Sequence, residues 1–166
     1  MIREQVKPDQ SGNTMKLVKV IGAVSLLAGT LDILAAVIQT LVLGGSPVKM
    51  LQYIASGVFG AESFSGGSSF AAMGLAFHYV IALIWTSIFF LLYPKIKILA
   101  KTWVLSGLFW GLLIWGIMNL VVLPLSNVPQ SPWNTPRAII ALLILIVAMG
   151  LPISYLAHRF YRNDKT

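Results

Sequence analysis

The sequence predicts an all-α membrane protein: four transmembrane helices plus a short amphipathic outer-surface helix, in one integral membrane domain over residues 1–166. Three observations predict it. Residues 20–44 form an apolar run of 25 residues broken by one charge, Asp32, and about 20 helical residues cross a bilayer core. Residues 70–93, 102–125 and 138–157 contain no Asp, Glu, Lys or Arg. Charged residues make up 10% of the chain and hydrophobic ones 57%, against about 25% charged in soluble domains. In lipid each backbone amide must bond within its own segment, so these runs are helices despite their Gly and β-branched residues. The spans fall at about 20–44, 70–93, 102–125 and 138–160.

Each element follows from its local composition. Residues 1–15 are polar, with Pro8, Ser11, Gly12 and Asn13, and read as a flexible tail. Span one is longer than the apolar core of a signal peptide, about 7–15 residues. Gln39-Thr40 stands where a small-residue cleavage site would be sought, so the segment reads as a retained anchor. Gly44-Gly45 ends it, and Ser46-Pro47 supplies an N-cap and first turn for a second element. Over 47–59, Val48, Leu51, Ile54, Val58 and Phe59 recur at helical spacing, with Lys49, Gln52, Tyr53 and Ser56 on the other side. Thirteen residues are too few to span, so this helix lies on the outer membrane surface or tucks back against the bundle.

Residues 60–69, GAESFSGGSS, read as a flexible loop. Span two runs from Phe70 to Tyr93, Pro94-Lys95-Ile96-Lys97 forms a short inner turn, and span three rises from Thr102 to Leu125. The loop SNVPQSPWNTPR carries three prolines and Trp133, the expected interfacial anchor. Span four contains Gly150-Leu151-Pro152, an expected kink near its inner end. Spans one and three each hold a Gly followed three residues later by Asp or Asn, Gly29 to Asp32 and Gly116 to Asn119. Their flanking loops differ in length and content, which argues for chance over an internal repeat.

Basic residues set the orientation. Arg3, Lys7, Lys16 and Lys19 lie before span one, Lys95, Lys97 and Lys101 between spans two and three, and Arg159, Arg162 and Lys165 at the end. Only Lys49 and Arg137 lie on the other side, so both termini are expected in the cytoplasm. The net charge of +7 is thus mostly a topology signal. The basic residues form no nucleic-acid-binding module, and no nucleic-acid partner is expected.

The polar residues inside the spans are the functional candidates. Asp32 lies 13 residues beyond Lys19, about 20 Å along the helix and near mid-bilayer. An acid there costs about 2.5–3.5 kcal/mol on insertion scales, so something must offset it. Gly22, Ser25, Gly29, Asp32, Ala36 and Gln39 share one face of span one. Gly74, His78, Ala82 and Thr86 recur every four residues in span two, as do Gly107, Gly111, Trp115 and Asn119 in span three. Asp32, His78, Asn119 and Gln39 are the candidate substrate or proton site, lining a cavity that opens outward. A protonated Asp32 donates a hydrogen bond and makes a proton carrier; an ionised one needs a cation and makes a cation or amine site. Buried polar groups also bond helices together, for about 0.6–2 kcal/mol each, and that reading stands beside the first. Gly29, Gly74, Gly107 and Gly111 are expected to pack helices; the Gly107-xxx-Gly111 pattern also permits a homo-oligomer.

Catalysis finds little support. There are no cysteines, which excludes disulfides, Cys-ligated metals and thiol chemistry. The spans offer one His and one Asp, with no HExxH and no phosphate-binding loop, so neither a metal nor a cofactor is expected. His158 sits at the inner interface, and a bis-histidine haem would need two subunits. Ser106 and Ser154 are remote in depth from His78, so no catalytic residue is assigned and the chain is not expected to be an enzyme.

From Phe77 to Pro124 the chain runs His78, an aromatic-rich helix, Tyr93-Pro94-Lys95-Ile96-Lys97, then a Gly-rich helix ending at Leu123-Pro124-Leu125. This third of the chain resembles the YagU-type bacterial inner-membrane proteins, a family of unknown function. The resemblance implies a helical inner-membrane protein with cytoplasmic termini and supplies no functional residues. The functional expectation is therefore a small transporter or channel-like protein for protons or a small solute. The alternative is a non-catalytic structural or accessory subunit whose partners are the lipid bilayer and other helices.

Overall fold

The computed structural model describes residues 10–129 and 134–163, and it is an all-α membrane bundle. Four helical stretches are long and apolar enough to cross a bilayer: Gly12–Val42, Gly67–Leu92, Trp103–Leu125 and Thr135–Asn163. Trp133 lies outside the described residues. The first helix, α1 (Gln10–Val42), begins before the apolar run, so residues 10–15, expected as tail, are helical. It ends in a Schellman turn, as the paired glycines require. Gly45 N donates to Thr40 O at 2.8 Å and Gly44 N to Leu41 O at 3.0 Å, while Gly44 takes φ +71°, a value only glycine adopts without strain.

Helix α2 (Pro47–Phe59) starts on Ser46, whose hydroxyl accepts from Lys49 N, with Pro47 in the first turn. It tucks against α3 (Gly67–Leu92), one of the two placements expected, and its most buried residues are small or polar ones. Gln52, Ala55 and Ser56 are buried, whereas Val48, Val58 and Phe59 are exposed. The reason is the solvent. Lipid tails are as apolar as Val or Phe, so the protein side of a membrane helix takes small residues and satisfiable polar groups. Gln52 Nε2 donates to Gly67 O at 2.9 Å, and Ser56 Oγ to Tyr53 O at 2.7 Å. Contact is closest at Gly74, where a Cβ would overlap the Leu51 carbonyl. Residues 60–64, expected as open loop, form a 3-10 turn. Asn127 closes the end of α2, its backbone and side-chain N–H groups donating to Gly57 O and Val58 O.

Helix α4 (Trp103–Ile117) continues through a π-helical turn, π1 (Met118–Val122), into the short α5 (Leu123–Leu125). The last span runs as α6 (Thr135–Ile144), a second π turn, π2 (Leu145–Gly150), and α7 (Leu151–Asn163). Both π turns end two residues before a proline, Pro124 and Pro152. A proline has no N–H and its ring displaces the carbonyl four residues back; those carbonyls, of Leu120 and Ala148, lie inside the two π turns. The kink expected at Gly150-Leu151-Pro152 thus takes the form of one widened turn. The glycines bind this pair of spans to each other. A Cβ on Gly111 would lie 2.6 Å from Ile146 Cα, one on Gly107 2.9 Å from Leu151 Cα, and one on Gly150 would overlap Gly107 O. Gly107 and Gly111, which permitted a dimer in the sequence, face span four of their own chain.

The bundle has two unlike ends. The end with both termini and the 93–102 turn is dense. Phe89 and Phe90 are fully buried, Trp110 stacks edge-on against Phe89 and Trp85 at 4.9 and 5.8 Å, and Ile153 closes the layer. Tyr93 Oη and His158 Nδ1 share a 2.7 Å hydrogen bond, Tyr161 Oη donates to Phe90 O, and the Tyr93 and Tyr161 rings stack. These contacts tie α7 to α3. The opposite end, roofed by α2, holds the central cavity, while a shallower groove of about 490 Å³ lies between α1 and α7 at the terminal end.

Candidate functional site

The seam between α1 and α3 sets the site. Gly29 lets the helices approach: a Cβ there would lie 3.1 Å from Ala82 Cβ and 3.2 Å from the Tyr79 ring. His78 Nε2 is 2.8 Å from Gly29 O, and since a carbonyl only accepts, Nε2 carries the proton and donates. Thr30 Oγ1 and Tyr79 Oη share a bond of 2.9 Å just beside it. Asp32 follows Gly29 by three residues, so the same helix face carries its carboxylate to the level of His78.

That face opens on a cavity of about 240 Å³ walled by all four spans. Span one contributes Asp32, Ala36 and Gln39, and span two contributes His78, Ile81, Ala82 and Trp85. Ile114 and Met118 line it from span three, Ile144, Leu145 and Met149 from span four, and Ile54 from α2. Trp85, Ile114 and Met149, all buried, form its floor, with the aromatic layer beneath. Met118 belongs to π1, and Leu145 and Met149 to π2, so each widened turn presents side chains to the cavity.

Three of the four expected polar residues meet here: Asp32, His78 and Gln39. Asn119 does not line the cavity. Its Nδ2 donates to Trp115 O, one turn back on its own helix, at 2.8 Å. The physical reason is π1, which re-aims the side chain and loosens the carbonyls that Asn119 then satisfies. The likeness between Gly29 to Asp32 and Gly116 to Asn119 also dissolves, since a Cβ on Gly116 would meet nothing within 4 Å. No hydrogen bond or ion pair joins Asp32 to another described residue, because His78 donates to Gly29 O instead. The His78 imidazole is near enough to act on the Asp32 charge, and apart from Asp32, His78 and Gln39 the cavity walls are apolar.

Sequence reasoning missed several members. The Thr30–Tyr79 bond was signalled only by adjacency to Gly29 and His78. Trp85 was hidden among the aromatics of span two, although it follows His78 by seven residues and so shares its face. Below the cavity, Thr86 Oγ1 and Trp110 Nε1 are buried without a hydrogen-bond partner. A second cavity of about 410 Å³ lies between α2, α3 and π1, and it meets the first at Ile54, Ile81 and Met118. A groove between α1 and α6 meets the first cavity at Gln39 and Ile144.

Compared with known proteins, the chain matches no family model, no curated protein and no solved structure.

Proposed function

We propose that this membrane protein binds and moves a proton or a small cation through the central cavity, with Asp32 as the charge-bearing group. One observation carries the reading: the sole acid within the four spans faces a cavity to which every span contributes a wall, beside His78 and without a hydrogen bond to any described residue. Gln39 stands toward the roofed end of the cavity and offers a polar group on the way in. His78 is a positioning residue, holding α1 against α3 at the level of Asp32. The excess of Lys and Arg at the terminal end supports cytoplasmic termini, so the cavity opens to the outer side of a bacterial inner membrane. The YagU-like turn at Tyr93 to Lys97 agrees with that location.

The test is Asp32→Asn in proteoliposomes, which keeps the shape and removes the charge. Uptake of protons or small cations by the parent chain, lost in the variant while its thermal unfolding stays within a few degrees, supports the reading. Equal uptake by both overturns it. The accessory-subunit reading is favoured by one observation, that His78 and Asn119 both bond to backbone carbonyls. It gains if Asp32→Asn alters folding alone.

A further inference from the structure

We propose that the cation this protein takes is amphipathic: an organic ammonium whose charged head meets Asp32 and whose apolar body fills the second cavity. This rests on the reading of Asp32 as a cation site and adds a substrate class to it. The two cavities differ in chemistry and share a wall. The first holds Asp32, His78 and Gln39. The second offers Phe77, Val80, Val122 and Leu123; its Ser126 hydroxyl already donates to Leu123 O at 2.8 Å, which leaves the Tyr53 phenol as its one polar side-chain group without a hydrogen bond among the described residues. Ile54, Ile81 and Met118 line both, so the charged chamber and the apolar one adjoin at these three side chains.

The chemistry of the lining selects the ligand. A fully hydrated inorganic ion gains nothing from an apolar chamber nearly twice the size of the charged one. A neutral lipid tail gains nothing from an unpartnered carboxylate. A molecule with one positive centre and a hydrocarbon body uses both. Trp85 adds to this, since its indole lines the charged chamber and the ring face attracts a desolvated ammonium. Met118, unbranched and in the widened turn, is the wall residue best able to move aside.

The test compares tetramethylammonium with octyltrimethylammonium, two cations with the same head, by calorimetric titration of the protein in lipid nanodiscs against empty discs. The octyl compound is expected to bind about 30-fold more tightly, the effect of burying two to three methylenes. Gly57→Leu and Val122→Phe each push bulk into the second cavity from a residue outside the first. A Cβ on Gly57 meets only ordinary contacts at 3.9 Å, so the first of these variants is expected to retain the fold, which its thermal unfolding checks. Both are expected to erase the octyl gain and leave tetramethylammonium binding unchanged, whereas Asp32→Asn weakens both ligands. Equal affinity for the two cations, each lost in Asp32→Asn, overturns the amphipathic ligand and leaves the Asp32 site standing. Octyltrimethylammonium binding that survives Asp32→Asn overturns the proposal and marks the second cavity as a seat for lipid tails. Binding of neither cation, with proton uptake still dependent on Asp32, overturns the amphipathic ligand alone. Binding of neither, with uptake indifferent to Asp32, overturns both readings.

Discussion

His78 and Asp32 sit on facing helices, and their roles separate by what each touches. His78 donates to a backbone carbonyl across the seam; Asp32 faces the cavity, with His78 as its electrostatic neighbour. His78→Ala is expected to lower stability by about 0.6–2 kcal/mol, the worth of one interhelical hydrogen bond in a membrane, with His78→Gln restoring part of it. Reversible unfolding in mixed micelles measures both. Asn119→Ala is expected to cost stability in the same range while cation binding stays unchanged, because its bond is internal to its helix. A third prediction belongs to Tyr93, just past the described span that ends at Leu92, where burial pushes the phenol above its ordinary pKa of about 10. The folded state there favours the neutral form. Its contribution is complete below the unfolded pKa and is lost as pH climbs through the raised folded value. Stability therefore falls above about pH 10, and Tyr93→Phe flattens that fall in a pH series of unfolding midpoints. Asp32, His78 and Gln39 were legible in the sequence because helical spacing and depth fix which side chains share a level. The misplacement of Asn119 was not legible, since it follows from Pro124 acting five residues downstream.

Among the elements, α2 was legible only in part. Its periodicity and length were readable, but which face turned inward was not, because amphipathic reasoning assumes water on one side. The burial of Gln52 and Ser56 and the backbone contact at Gly74 come from packing in lipid, where small and satisfied polar surfaces win the interface. The expected consequence is sharp. Gly74→Ala forces a Cβ into the Leu51 carbonyl and costs about 1–3 kcal/mol by overpacking. Gly22→Ala, where a Cβ meets nothing within 4 Å, is neutral. Thermal unfolding of the two variants side by side checks this. The π turns are the other element-scale finding, and each proline was visible in the sequence even though the form of the distortion was not.

For the whole molecule, the four spans were legible from charge-free length alone, and the described structure has them within a few residues of the expected bounds except at the two ends, where α1 and α7 extend into polar sequence. Which spans pair was not legible. The glycines of span three are matched to Ile146 and Gly150 of span four, a complementarity that only coordinates reveal. Orientation is testable directly, because the chain has no native cysteine. Single cysteines replacing Lys49 and Lys97 are expected to react with an impermeant maleimide from opposite faces of right-side-out vesicles. Labelling of both from one face would overturn the four-span topology.

If the proposed function holds, the aromatic layer beneath the cavity decides what kind of traffic follows. Phe89, Trp110 and Ile153 are buried there, so a guest held at Asp32 leaves by the roofed end or sideways along the groove between α1 and α6. Net passage then demands a second geometry in which that layer parts. Without one, release measured in oriented vesicles is expected to be one-sided.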